Sequence, residues 1–78
     1  MKYYKVTTQA AADSLVSTIN ANYTYADGSV RTQRMSYGGT HFVLVDAADE
    51  QYLTATQLTK LVTYDDMAAF MPKPPHLV

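Results

Sequence analysis

The sequence predicts a small α+β domain. The expected form is a β-α-β-β core with a three- to four-stranded, mainly antiparallel sheet, one main helix on one face and short C-terminal helices. Three observations predict it. Gly38-Gly39 separates two strand-like runs, apolar residues recur at helical spacing from Ala12 to Tyr23, and an alternating stretch from Lys2 to Val6 precedes both. Residues 1–71 are expected to form a single compact domain, and 72–78 an extended Pro-rich tail.

The first strand is Lys2-Tyr3-Tyr4-Lys5-Val6, with Tyr4 and Val6 on one face and Tyr3 and Lys5 on the other. Thr7 or Thr8 then caps a helix, because a threonine oxygen can accept a free N–H of the first turn. Ala12, Leu15, Val16, Ile19 and Tyr23 form the apolar stripe of that helix, and Asp13, Ser14, Ser17, Thr18 and Asn20 fall mostly on its solvent side. Asp27-Gly28 marks a turn.

The hairpin follows. Its two-residue Gly-Gly turn needs positive φ and sets the register. Tyr37 faces Thr40, Met35 faces Phe42, Gln33 faces Leu44 and Arg31 faces Asp46; the other side pairs Ser36 with His41, Arg34 with Val43 and Thr32 with Val45. Tyr37, Met35, Phe42 and Leu44 are the larger apolar set, so that face is expected to meet the core. Arg31 and Asp46 would close its far end as an ion pair contributing roughly 0.2–1 kcal/mol. A right-handed crossover would lay the first strand parallel to the hairpin's first strand, with the helix across one face.

Ala47 to Glu50 reads as a turn or short helical turn, and Gln51 to Thr54 as a candidate fourth strand. Residues 52–62 carry two patterns: helical spacing of Leu58, Leu61 and Val62 behind a threonine cap, and extended alternation. Tyr64-Asp65-Asp66 opens a last short helix containing Met67, Ala68, Phe70 and Met71, and Pro72 ends it.

Composition narrows the function. With a formal net charge of −1, the chain has no overall drive towards nucleic acid or acidic membranes. Zero cysteines exclude disulfides, a thiol nucleophile and cysteine metal sites, and suit the reducing cytoplasm. The N-terminus is too polar for a signal peptide, and no apolar run approaches a membrane span. No serine lies in a Gly-x-Ser-x-Gly elbow, and no phosphate-binding or dinucleotide glycine loop occurs. The expectation is a non-enzyme with no cofactor.

His41 is the best-placed polar candidate. It sits beside Ser36 and Arg34 on the face turned away from the expected core, either as a proton donor or acceptor or as a surface histidine without a role. His41 and His76 do not make a metal site, and Asp46, Asp49 and Glu50 with Asp65-Asp66 read as a solvated turn plus a helix cap rather than a calcium loop. One helix covers only one face of a sheet, and seven tyrosines exceed the needs of the core. The expected function is therefore protein–protein interaction through Tyr3, Arg34, Ser36 and His41, with Tyr23 and Tyr25 at the edge. The partner is another protein or a second copy in a homodimer. Compact cysteine-free domains without catalytic motifs are common among bacterial and phage accessory proteins, and by that analogy the chain would inhibit or adapt a host protein. The alternative is single-stranded nucleic-acid binding, with tyrosines stacking bases and arginines meeting phosphates.

Overall fold

The computed structural model describes residues 1–72. Four strands form one sheet: β1 (Lys2–Val6), β2 (Arg34–Tyr37), β3 (Thr40–Val45) and β4 (Leu61–Val62), in the order β2-β3-β1-β4, every neighbouring pair antiparallel. Three α-helices accompany it: α1 (Gln9–Asn20), α2 (Ala55–Leu58) and α3 (Tyr64–Ala68). A 3₁₀ helix spans Ala47–Tyr52.

The hairpin has the register expected from its turn: Tyr37 pairs with Thr40, Ser36 with His41, Met35 with Phe42 and Arg34 with Val43. Gly38 and Gly39 take φ of 58° and 86°, the conformation for which glycine is suited. β2 starts at Arg34, so the pairing expected at Gln33 and Thr32 is not part of the ladder. Instead the Asn20 side chain brackets the Thr32 backbone, donating to its carbonyl at 3.0 Å and accepting from its N–H at 2.9 Å. This pulls the chain towards the end of α1.

β1 runs in the same direction as β2, as a crossover requires, but β3 lies between them. The physical reason is burial. Phe42, Val43 and Val45 are wholly shielded, pointing alternately to both faces, so β3 needs cover on both sides and neighbours on both edges. β2, none of whose residues is fully buried, lies at the edge.

The facing expected for the hairpin is reversed. β1 pairs Tyr4 with Val43 and Val6 with His41, so these four share one face. α1 packs on that face, and the core there is Tyr4, Val6, Ala12, Leu15, Ile19, Val43, Val45 and Leu53. Tyr37, Met35, Phe42 and Leu44 occupy the opposite face. Phe42 is buried there because Tyr37 and Phe70 lean over it, with ring centroids at 6.0 and 5.4 Å.

Thr8 caps α1 by accepting from the Ala11 N–H, and Ala12, Leu15 and Ile19 fill its buried stripe. Gly28 closes the Tyr25–Gly28 turn with φ 79°, and the Ser29 N–H donates to Asp27, holding that carboxyl below its ordinary range. Gln51 and Tyr52 belong to the 3₁₀ helix rather than to a fourth strand. Residues 52–62 combine both patterns: a capping box of Thr54 and Gln57 starts the short α2, and Leu61–Val62 then pairs with β1 as β4. A second capping box, Thr63 with Asp66, starts α3 and buries Met67. Past Pro72, the expected tail lies outside the described residues.

Candidate functional site

Strand alternation divides the hairpin into two surfaces. The face opposite α1 carries Tyr3 and Lys5 from β1, Met35 and Tyr37 from β2, Thr40, Phe42 and Leu44 from β3, and Val62 from β4. α3 and the residues after it cover one end. Tyr3 meets Tyr64 at 6.1 Å between centroids, and the Lys5 ammonium sits 4.8 Å over the Phe70 ring. Tyr3, Met35, Tyr37 and Leu44 are only half-buried, and Tyr64 and Phe70 remain exposed. Beside Met35 and Leu44 lies a shallow groove of ≈ 320 Å³, with Val30, Arg31, Thr32 and Gln33 as its other wall. Tyr3, Met35, Tyr37, Phe42, Leu44 and Val62 thus give this sheet face a mostly apolar character.

Arg34, Ser36 and His41 lie on the α1 side of the hairpin. The Arg34 Nε donates to Asp13 at 3.0 Å and its Nη1 to the Ser36 Oγ at 2.6 Å, while the Ser36 hydroxyl meets His41 Nδ1 at 2.7 Å. In the neutral ring this pattern assigns the histidine proton to Nε2. The serine–histidine contact has the reach of a nucleophile and base. However, the nearby carboxylate, Asp13, holds Arg34 rather than His41, so among the described residues no carboxylate orients the ring as a general base is oriented in a triad. The cluster is a polar edge on the helix side. Arg34→Ala should lower stability by less than about 1 kcal/mol, because both ends of its ion pair are open to water; urea unfolding measures this.

Tyr23 and Tyr25 belong to a third cluster that the sequence reading did not assemble. Asp49 is 2 % exposed. It accepts from the Tyr23 hydroxyl and, at 2.8 Å, from the Arg31 Nε. Arg31 also reaches Asp46 at 3.0 Å, as the hairpin register suggested, and lies 4.6 Å over the Tyr23 ring. Tyr25 stacks on Tyr23, and Tyr52 meets it edge-on. The signal was present in the spacing: Asp46, Asp49 and Tyr52 are three apart, and a 3₁₀ helix eclipses such residues on one side.

The hydrogen bond to Asp49 pushes the Tyr23 hydroxyl up to about 12, with burial and the aspartate's charge adding to it. Its own hydrogen bond to Asp49, followed by one with Tyr25, moves the Arg31 guanidinium further above its ordinary value. Tyr23 thus favours folding fully below the ordinary tyrosine range near 10. That contribution is lost as pH rises from about 10 towards 12, where the unfolded chain ionises first. Tyr23→Phe should flatten the fall of the thermal midpoint across that interval, read by circular dichroism melts.

A second concavity, of ≈ 430 Å³, lies elsewhere, between the start of α1 and β4, with Lys5 and Lys60 in its wall. Of the residues predicted for one surface, only Tyr3 lies on the apolar face. Arg34, Ser36 and His41 are together on the other side, and Tyr23 and Tyr25 belong to the Asp49 cluster. The chain is a small α+β fold with a four-stranded antiparallel sheet. Comparison with known proteins finds no matching family model, curated protein or solved structure.

Proposed function

We propose that the chain is a non-enzymatic, cytoplasmic protein–protein interaction domain that binds through the sheet face opposite α1. The observation that carries this reading is the apolar character of that face. Tyr3, Met35, Tyr37 and Leu44 stay partly open there, with Phe70 and Tyr64 exposed at its end. Half-buried Tyr and Met side chains around a buried aromatic suit an interface centre, and Lys5 and Arg31 suit its polar rim. An accessory protein that inhibits or adapts a larger protein fits this arrangement, because covering a working surface needs no pocket.

The nucleic-acid alternative is less favoured, because both arginines already meet carboxylates: Arg31 with Asp46 and Asp49, Arg34 with Asp13. Affinity capture from native lysate tests the choice, with and without nuclease, using the wild type beside Leu44→Lys. A protein retained after nuclease and lost with Leu44→Lys supports the face. Retention that disappears with nuclease supports nucleic acid and overturns the reading.

A further inference from the structure

We infer that β2 is a dimerisation strand, along which two copies of the chain pair antiparallel with Met35 facing Met35 on the two-fold axis. β2 is an edge of the sheet. The two-residue turn sets which of its main-chain groups point away from β3. Tyr37–Thr40, next to the turn, is a hydrogen-bonded pair, and so is Met35–Phe42; Arg34 and Ser36 therefore direct their N–H and C=O away from β3. Natural edges are blunted by proline, bulges or unpaired charge. β2 has neither proline nor bulge, and its one charge, Arg34, is held by Asp13 on the α1 side.

Symmetry then selects the register. A two-fold axis perpendicular to the sheet must set α1-side residues opposite α1-side residues, so the axis passes through a residue rather than between two. Centred on Arg34, it would oppose two guanidinium groups directly. Centred on Ser36, it would place Arg34 beside the glycine turn of the second copy and end the ladder. Centred on Met35, it sets Arg34 opposite Ser36 of the second copy, and these are the residues whose outward main-chain groups meet no partner among the described residues. On the apolar face the same register sets Tyr37 of the second copy opposite Gln33. That tyrosine then lies over the groove formed by Val30, Gln33, Met35 and Leu44, and the contact repeats reciprocally. Hydrogen bonding, charge and shape thus agree on a single self-complementary arrangement. The two apolar faces would become one continuous surface, with the α1 helices together on its back. This dimer does not depend on the protein-partner reading, since it needs no third molecule.

The chain has no cysteine, so a single introduced one reports the register cleanly. Met35→Cys places two thiols in a non-hydrogen-bonded pair, within reach of a disulfide. In Tyr37→Cys the two thiols would lie on the order of 13 Å apart along the strands, too far to bridge. Mild oxidation should cross-link Met35→Cys at least about tenfold faster than Tyr37→Cys. Light scattering of the wild type should move from monomer to dimer mass with concentration. Ser36→Pro, which removes an outward donor without touching the β2–β3 ladder, should remain a monomer with an unchanged circular dichroism spectrum. Should that variant fail to fold, Met35→Lys tests the same axis through like-charge repulsion and should also be monomeric. A wild-type monomer mass up to millimolar concentration overturns the inference, as does equal cross-linking at positions 35 and 37. A dimer that captures no other protein would sustain this inference while removing the partner reading.

Discussion

Asp49→Ala is expected to destabilise the domain by about 2–3 kcal/mol, although the residue sits in a short surface-level turn. Removing the carboxylate takes the acceptor from the Tyr23 hydroxyl and from the Arg31 Nε together. Water can partly replace it for Arg31, whose side chain is 27 % exposed, which holds the loss below the range for a wholly buried pair. The cluster also ties distant segments together: the 3₁₀ helix, the residue after the C-terminal turn of α1, and the chain leading into β2. For a domain of this length each kcal/mol shifts the midpoint by roughly 4–8 °C, so the expected fall is about 10 °C or more. Glu50→Ala, one residue away and outside the cluster, serves as the control in the same melts. Equal midpoints for the two variants would mean that Asp49 holds nothing together.

How far this architecture could be read in advance depended on the range of each interaction. Local rules served well. Gly38-Gly39 yields the hairpin register residue by residue, because turn conformation and strand pairing are contiguous. The Ala12–Ile19 stripe yields α1 for the same reason. The facing of the hairpin was not local. Phe42-Val43-Leu44-Val45 is apolar on both sides, so alternation within the strand cannot choose a face. β1 makes the choice by placing Tyr4 and Val6, not Tyr3 and Lys5, beside Val43 and His41. That step required knowing that β1 adjoins β3, a pairing across nearly forty positions of sequence. The candidate site inherited the error: Arg34, Ser36 and His41 do cluster, but on the helix side. Asp49 was hidden differently. A carboxylate in a polar turn looks solvated until the arginine and tyrosine that enclose it arrive from elsewhere in the chain.

Adjacent substitutions in β3 should separate the two faces by the largest difference expected anywhere in this domain. Val43 is wholly buried under α1, where it shares a core with Tyr4, Leu15 and Ile19, and the Arg34 opposite it in β2 is already engaged by Asp13. Val43→Asp would force an ionised carboxylate into that core or hold it protonated at a cost of several kcal/mol. A chain of this length has roughly 4–12 kcal/mol of total stability to lose, so Val43→Asp is expected to be largely unfolded at 25 °C. Leu44 is half-buried on the other face, where a carboxylate can turn to water. Leu44→Asp should lose only about 1–2 kcal/mol and keep the wild-type circular dichroism spectrum. It should also lose the protein partner, since it places a charge at the centre of the proposed docking face. Urea unfolding followed by capture reads both effects on the same two proteins. The opposite order of stability, with Val43→Asp folded and Leu44→Asp unfolded, would restore the facing that the hairpin alone suggested and move the interaction surface back to Arg34, Ser36 and His41.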